Sequence, residues 1–181
     1  MNIETTPLRE VLLITPKIFR DNRGAFWEAW NQRDFSNANL PSHWVQDNCS
    51  TSVRNVIRGI HYQVVQPQAK LIRVTHGAVL DVAVDLRRSS PNFGRHVAVE
   101  LSVKNARTLY IPVGFGHGFA VLGDEATVAY KVTDYYNSVG ERTVLWNDPD
   151  LAIRWPVSPE HAILSDKDRA GSTLGSAEVF P

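Results

Sequence analysis

Two short stretches carry the side chains of this sequence that are best suited to chemistry. RGIHYQ, residues 58–63, places a cation, a glycine, the imidazole of His61 and an amide within six positions. PVGFGHGF, residues 112–119, supplies a second imidazole, His117, after a glycine-rich turn. A histidine in such a setting is a metal ligand, a proton-transfer base or a structural residue, and each alternative stays open at this point.

Lys70 and Tyr130 could take part in a reaction only if their side chains face the interior. Alternation in KLIRVTHG puts Lys70 on the same strand face as Ile72 and Val74. An inward ammonium carries a desolvation cost unless it meets an anion, so it marks a cavity for a negative ligand or for charge that develops during a reaction. Tyr130 likewise lies on an apolar face. Taken alone, each segment favours the plainer alternative, a lysine that snorkels at a strand end and a tyrosine in the core.

Length and composition limit the classes of protein that could use these residues. The 181 residues predict one domain, 1–181, with N- and C-terminal extensions. Lys plus Arg equals Asp plus Glu at 19 each, so no global field favours nucleic acid or an anionic membrane as a partner. The single cysteine, Cys49, excludes an intrachain disulfide and fits a reducing compartment. With neither a signal-peptide pattern nor a long apolar run, the sequence predicts a cytoplasmic protein.

The regular segments alternate with a period of two. In GAVLDVAVDLR the apolar face that starts at Leu80 alternates with Asp81, Ala83 and Asp85, which is typical of a half-buried antiparallel strand. HVAVELSV and TVAYKVTD repeat the pattern, and turn segments such as RRSSPNFG and YYNSVGE separate the strands. Helices are predicted only in RDFSNANL and SPEHAILSDKDR. The C-terminal segment AGSTLGSAEVFP is predicted to be a loose tail or a strand added to a neighbour. We therefore expect an all-β fold, a sandwich or barrel with a few short helices, of which a jelly roll encloses one ligand cavity.

The two histidine stretches together resemble the paired motifs of the cupin superfamily. Metal-binding cupins place two histidines at alternate positions in the first motif, followed by a carboxylate. Here Gln63 follows His61 at the alternate position, and Lys70 stands where a carboxylate is expected. Because an amide and an ammonium are poor ligands for a transition metal, we expect no metal site.

A longer series of motifs matches one family closely. The runs FRDNRGAFWE, WVQDNCSTS, IRGIHYQ, AKLIRVTHGAVLDVAVDLRRSSPNFG, LYIPVGFGHGF, AYKVTDYYNSVGE, LWNDPDLAIRWP and LSDKD, in this order, resemble the dTDP-4-dehydrorhamnose 3,5-epimerases. The resemblance implies a metal-free cupin jelly roll without a cofactor, which acts as a homodimer on dTDP-4-dehydro-6-deoxy-D-glucose.

The resemblance also implies roles for four residues. A 4-keto sugar has acidic C–H bonds at C3 and C5, and inversion needs a base, an acid on the opposite face and a positive group at the ketone oxygen. His61 is the implied base, and Asp168 of LSDKD orients its imidazole. Tyr130 is the implied proton donor, and Lys70 meets the developing enolate.

A second set of residues matches the positions that contact the nucleotide and sugar. Arg23 and Arg58 correspond to the diphosphate contacts, and a guanidinium fork suits these oxygens. The remaining matches are Glu28, Gln46, Asn48, His117, Tyr136, Glu141 and Lys167, with Phe19 and Phe26 as aromatic packing. For the peripheral polar residues, a solvated loop is nearly as good an explanation. Simple alternation sends Arg58 and His61 to opposite faces, and Gly59 between them permits a bulge that would reconcile the two.

Two other functions compete with double epimerisation. Related enzymes of antibiotic deoxysugar pathways invert only C3 with much the same catalytic set. A non-catalytic sugar-nucleotide binding cupin would keep the arginines and aromatic residues but would not need His61, Tyr130 and Asp168 together.

Overall fold

The alternating segments of the sequence form β-strands, as predicted. The computed structural model describes residues 1–181 and contains thirteen strands and two short helices. In chain order they are β1 (Asn2–Thr5), β2 (Leu12–Thr15), β3 (Ile18–Asp21), β4 (Gly24–Trp27), α1 (Gln32–Asn37), β5 (Gln46–Val53), β6 (Ile57–Gln63), β7 (Lys70–His76), β8 (Ala78–Asp85), β9 (His96–Ser102), β10 (Thr108–Ile111), β11 (Phe115–Val121), β12 (Glu125–Val132), β13 (Glu141–Thr143) and α2 (Asp166–Arg169).

The strands form two antiparallel sheets and a separate hairpin. The six-stranded sheet has the order β1-β2-β10-β7-β12-β5, and the five-stranded sheet has the order β13-β6-β11-β8-β9. Strands β3 and β4 pair only with each other. This is the all-β jelly roll with short helices that the sequence predicted.

The main core fills the space between the two sheets. It includes Ile72 and Val74 of β7, Val97 and Leu101 of β9, and Val128 of β12. The apolar faces assigned from alternation in these three strands are therefore confirmed. The same alternation turns Lys70 and Tyr130 toward the interior, where both line one cavity.

The interpretation of β8 as a half-buried strand is wrong. Asp81 and Asp85 are both fully buried, and so is the Ala83 between them. The apolar face with Val82 and Val84 packs instead on the outer side of its sheet, where the C-terminal segment covers it. Because β8 is a central strand covered on both sides, its carboxylates point into the sandwich.

One of the two predicted helices is much shorter than its segment. Helix α1 forms as predicted, since Asn31 caps it by accepting from the backbone N–H groups of Arg33 and Asp34. In SPEHAILSDKDR only the four residues of α2 are helical. Ile163 exchanges backbone hydrogen bonds with Asn55 and Ile57 beside β6, and this pairing holds the chain in an extended conformation before α2 begins.

The C-terminal segment is neither a loose tail nor a strand of a neighbour. Phe180 exchanges backbone hydrogen bonds with Leu86 and Arg88, and Leu174 and Ala177 are buried against the five-stranded sheet. The segment therefore covers the molecule's own sheet. No helix in the structure combines the length and the apolarity needed to cross a membrane.

Candidate active site

Most of the site residues predicted from the sequence line one cavity. It has a volume of about 440 Å³ and opens between the two sheets at the end where β6, β11, β7 and β12 meet. The nominated residues that line it are Gln46, Asn48, Arg58, His61, Lys70, His117, Tyr130, Tyr136, Glu141 and Lys167. Asp168 lies behind His61 and completes the group.

His61 and Asp168 form a hydrogen-bonded dyad. Nε2 of His61 lies 2.5 Å from Oδ1 of Asp168, and the Asp168 side chain is only 3% exposed. The hydroxyl of Ser165 donates to the other carboxylate oxygen at 2.7 Å, and the backbone N–H of Gly59 donates to Oδ1 at 3.3 Å. The carboxylate is thus fixed from three directions, and it in turn fixes the orientation of the imidazole.

The charge states of the dyad follow from burial and from this contact. Burial lowers the pKa of His61, although the Asp168 hydrogen bond and charge oppose the shift. Burial alone would raise the pKa of Asp168, but the hydrogen bonds from His61 and Ser165 bring it below its usual value. At neutral pH the dyad is therefore a carboxylate beside a neutral imidazole, which can accept a proton.

A bulge in β6 brings Arg58 and His61 to the same cavity. His61 pairs with His117 of β11, but Arg58 pairs with Phe119, so β6 has one more residue than β11 between the two pairs. Gly59 at this point has φ +112, and a Cβ there would lie 2.6 Å from the Cα of Gly118. Only glycine fits both the conformation and the space, so the bulge that the sequence permitted is confirmed.

Lys70 supplies a buried positive charge at the cavity floor. Its side chain is nearly inaccessible, and its Nζ donates one long hydrogen bond of 3.4 Å to the backbone oxygen of His61. Burial lowers the pKa of Lys70 to about 8, against the attraction of the Asp81 and Glu141 carboxylates. The ammonium form still prevails at neutral pH, and it is poorly solvated, so it would interact strongly with an anion.

Tyr130 lies on β12, in register between Asn48 of β5 and Ile72 of β7. Burial raises the pKa of Tyr130, the nearby Arg58 lowers it, and the Glu141 carboxylate adds to the increase. The phenol is thus protonated at neutral pH, as a proton donor must be.

The rim of the cavity is a polar network. Glu141 of β13 accepts from Nζ of Lys167 at 2.6 Å and from the hydroxyl of Tyr136 at 3.0 Å. The side chain of Gln46 extends the network, since it accepts from the backbone N–H of Tyr136 at 3.1 Å and donates to Asn48 at 2.8 Å. These groups surround the entrance with donors and acceptors that suit a hydroxylated ligand.

Four nominated residues do not reach this cavity. Phe19, Arg23 and Phe26 belong to the β3–β4 hairpin and Glu28 follows it, and none of them lines the cavity. Arg23 is 85% exposed and pairs with Asp21 at 2.6 Å. The hairpin pairs with neither main sheet, and within one chain its side chains lie outside the cavity.

Some cavity residues were missed at the level of sequence. They are Ser50, Tyr62, Gln63, Gln68 and Phe119. Alternation could have found Ser50, two positions after Asn48, and Phe119, two positions after His117. No group of three or more His, Cys, Asp or Glu side chains is arranged to hold a metal ion. The metal-free reaction stays a prediction.

Comparison with known proteins identifies close relatives. The family model for dTDP-4-dehydrorhamnose 3,5-epimerase matches residues 5–176. The chain is 50% identical over 173 residues to the curated enzyme of that name from Pseudomonas aeruginosa, with 95% of each chain covered. It is 47% identical over 183 residues to the one from Shigella flexneri, with 99% of each covered.

A solved structure agrees with these sequence matches. The dTDP-6-deoxy-D-glucose-3,5-epimerase from Legionella pneumophila, in complex with dTDP-4-keto-L-rhamnose, superposes with a TM-score of 0.94 at 45% identity. The match covers 98% of this chain and 94% of that one. The close superposition supports the cupin-like jelly roll expected from the motifs.

Proposed function

Since the chain belongs to the dTDP-4-dehydrorhamnose 3,5-epimerase family, we propose that it inverts C3 and C5 of dTDP-4-dehydro-6-deoxy-D-glucose. The observation that carries the mechanism is the juxtaposition of the His61–Asp168 dyad with Tyr130 and Lys70 around one cavity. The name shared by the family model and the curated relatives favours double inversion over a C3-only reaction and over a non-catalytic binding module.

His61 is the proposed base. The Asp168 carboxylate can only accept, so Nε2 of His61 carries the proton and Nδ1 carries the lone pair. Nδ1 removes the proton at C3 or C5, which leaves an enolate delocalised onto the C4 oxygen. The imidazolium that forms is stabilised by Asp168, which stays ionised.

Lys70 and Tyr130 complete the reaction. Charge appears on the C4 oxygen only after the proton has left, and the buried Lys70 ammonium stabilises it there. Tyr130 then donates its phenolic proton to the opposite face of the same carbon, which inverts the centre. The neutral imidazole accepts the proton and the protonated phenol donates one, as their ordinary pKa values allow near neutral pH.

The remaining polar residues are proposed to bind substrate. Arg58 lies at the cavity wall, where its guanidinium would contact the diphosphate. Gln46, Asn48, His117, Tyr136, Glu141 and Lys167 would hold the sugar hydroxyls and the nucleotide. No cofactor and no metal are needed for these steps.

The hairpin residues are proposed to act on the cavity of a second copy in a homodimer. Phe19 and Phe26 are 53% and 70% exposed, which is more than expected for aromatic side chains of a protein that binds no partner at this surface. Strand β5 carries Gln46 and Asn48 of the cavity and has a free edge in its sheet. A hairpin from a second copy placed at this edge would bring Arg23 and both phenylalanines to the substrate.

Mixed dimers test this arrangement. Arg23→Ala and His61→Ala subunits, each inactive alone, are co-expressed with different tags and purified as a heterodimer. If Arg23 serves the partner's cavity, one site of each heterodimer is intact, and activity returns to about half that of the wild-type dimer. No recovery means that Arg23 serves the cavity of its own chain, and an active Arg23→Ala homodimer would show that Arg23 contributes nothing.

Proton NMR of the 4-keto sugar nucleotide in deuterated water tests the reaction itself. We expect deuterium at both C3 and C5 with wild-type protein and at neither with His61→Ala, which should still bind dTDP. Deuterium at C3 alone would indicate the restricted reaction, and no exchange would indicate a binding protein. Metal analysis accompanies the assay, because a stoichiometric transition metal required for activity would contradict the proposed mechanism.

The cytoplasmic location remains a proposal. The one cysteine, Cys49, is exposed and unpaired, which suits a reducing compartment. Fractionation of the source cells would test it.

A further inference from the structure

A second histidine of the cavity, His117, is hydrogen-bonded to a buried carboxylate, as His61 is to Asp168. Asp81 of β8 is fully buried, and both of its carboxylate oxygens lie 3.0 Å from Nε2 of His117. His117 pairs directly with His61 across β11 and β6 and lines the cavity, but Asp81 does not line it. Asp81 can therefore affect a bound substrate only through its neighbours.

The first neighbour is His117 itself. A carboxylate only accepts hydrogen bonds, so Nε2 of His117 carries the proton that points at Asp81. Nδ1 of His117 has no hydrogen-bond partner in the protein and keeps its lone pair. The imidazole is thus held as an acceptor, in an orientation that suits a hydroxyl of the substrate.

The second neighbour is Lys70, a buried ammonium that forms no ion pair at contact distance. Charged and titratable groups face it from several elements, namely Asp81 on β8, Glu141 on β13, Lys167 on α2, His61 on β6, His117 on β11 and Tyr130 on β12. Glu141 is already paired with Lys167 at 2.6 Å. Asp81 is therefore the carboxylate near Lys70 that no other cation side chain neutralises.

We propose that Asp81 is a positioning residue of the epimerase, which holds Lys70 in the charged form that the enolate requires and fixes the tautomer of His117. This inference rests on the proposed function, because it assigns the purpose of the Lys70 charge from that reaction. It adds a residue that lies outside the cavity and touches neither the substrate nor the reacting atoms.

The size of the effect follows from the electrostatics. Burial lowers the pKa of Lys70 to about 8, and the attraction of Asp81 is the largest influence that opposes burial. Without that charge, the pKa of Lys70 falls further, by on the order of one pH unit for charges within about 10 Å at an effective dielectric of about 20.

The test is Asp81→Asn, which keeps the size of the side chain and removes its charge. For a drop of one pH unit, the variant should be about fivefold slower than wild type at pH 8 and nearly equal to it at pH 6. The high-pH limb of kcat moves to lower pH, and the low-pH limb from His61 stays where it is.

Asp148→Asn is the matched control. Asp148 is also a buried carboxylate, and it accepts hydrogen bonds from the backbone N–H groups of Asp150 and Leu174, away from the cavity. This variant should lose stability without a change in the shape of the pH profile. A wild-type to Asp81→Asn rate ratio that is constant from pH 6 to pH 8 would overturn the proposal, since a purely structural role gives that result.

A measurement on the wild-type protein covers the case in which Asp81→Asn does not fold. NMR with ¹³C-labelled lysine and ¹⁵N-labelled histidine, without substrate, should show Lys70 titrating near pH 8 and His117 with its proton on Nε2. A Lys70 that is already mostly deprotonated at pH 7, or a proton on Nδ1 of His117, would refute the role of Asp81. Because no turnover is involved, this result is separate from any failure of the proposed reaction.

Discussion

Replacing Asp168 by asparagine should remove most of the catalytic rate and leave substrate binding nearly intact. The carboxylate lies 2.5 Å from Nε2 of His61, and its contribution grows when the imidazole takes up the substrate proton and becomes charged. Two unit charges with centres about 4 Å apart interact by about 4 kcal/mol at an effective dielectric of about 20. Because about 1.4 kcal/mol corresponds to a factor of ten, kcat should fall by about a thousandfold.

The assay separates this loss from an effect on binding. Single-turnover deuterium incorporation at C3 and C5 gives the rate of proton abstraction, and calorimetry with dTDP gives the affinity. Since Asp168 does not line the cavity, the affinity should change less than about threefold for a residue that acts only on the reacting base.

Ser165→Ala is the control for lost local structure. The serine donates to Asp168 and caps α2, so its removal should cost about 1 kcal/mol of stability. The charge beside His61 remains, and proton abstraction should slow by less than about tenfold. If Asp168→Asn reduced the rate no more than Ser165→Ala, the orienting and charge-stabilising role of Asp168 would be refuted.

Three further outcomes are expected. The pH profile of kcat should rise on the acid side at a pH below the ordinary histidine value, because burial lowers the pKa of His61, and should fall near pH 8, where Lys70 loses its proton. A basic limb near pH 10 would exclude Lys70 as its source. Tyr130→Phe should retain deuterium exchange from the His61 side while inversion is lost, and equal loss of both would argue against Tyr130 as the acid. Gly59→Ala should destabilise the fold by about 2 kcal/mol or more, since the new Cβ meets backbone at 2.6 Å, whereas Gly175→Ala, which meets open space, should be nearly neutral in thermal unfolding.

The pattern of alternation was sufficient to predict strands but not always their faces. In β12 one face is apolar and includes Val128, so the buried side was predicted correctly. In β8 the same pattern misled, because alternation identifies two different faces but does not reveal that a central strand is covered on both. The cover on its outer face comes from the C-terminal segment, about 90 residues further along the chain. Asp81 was therefore assigned to solvent and absent from the expected site.

Contacts between residues far apart in sequence also explain why the C-terminal helix and the C-terminal segment were predicted incorrectly. SPEHAILSDKDR has local helical features, but Ile163 pairs with the backbone beside β6, and this tertiary pairing prevails over local propensity. The residues proposed to be catalytic, in contrast, were predicted because they belong to motifs with a fixed spacing. Arg23 and Phe26 were predicted in the same way, although they do not line the cavity of their own chain. Motif matching does not indicate whether a residue serves its own chain or a second copy.

The bulge at Gly59 joins three requirements of the site in one local feature. A regular strand would send Arg58 and His61 to opposite faces, so that the cation and the base could not share a ligand. The extra residue brings both to the cavity, and the same distortion turns the Gly59 N–H toward Asp168, where it donates at 3.3 Å. The proposed substrate contact of Arg58, the proposed base His61 and the hydrogen bond to Asp168 therefore depend on one position. A substitution there should impair affinity and rate together, unlike Asp168→Asn, which should impair the rate alone.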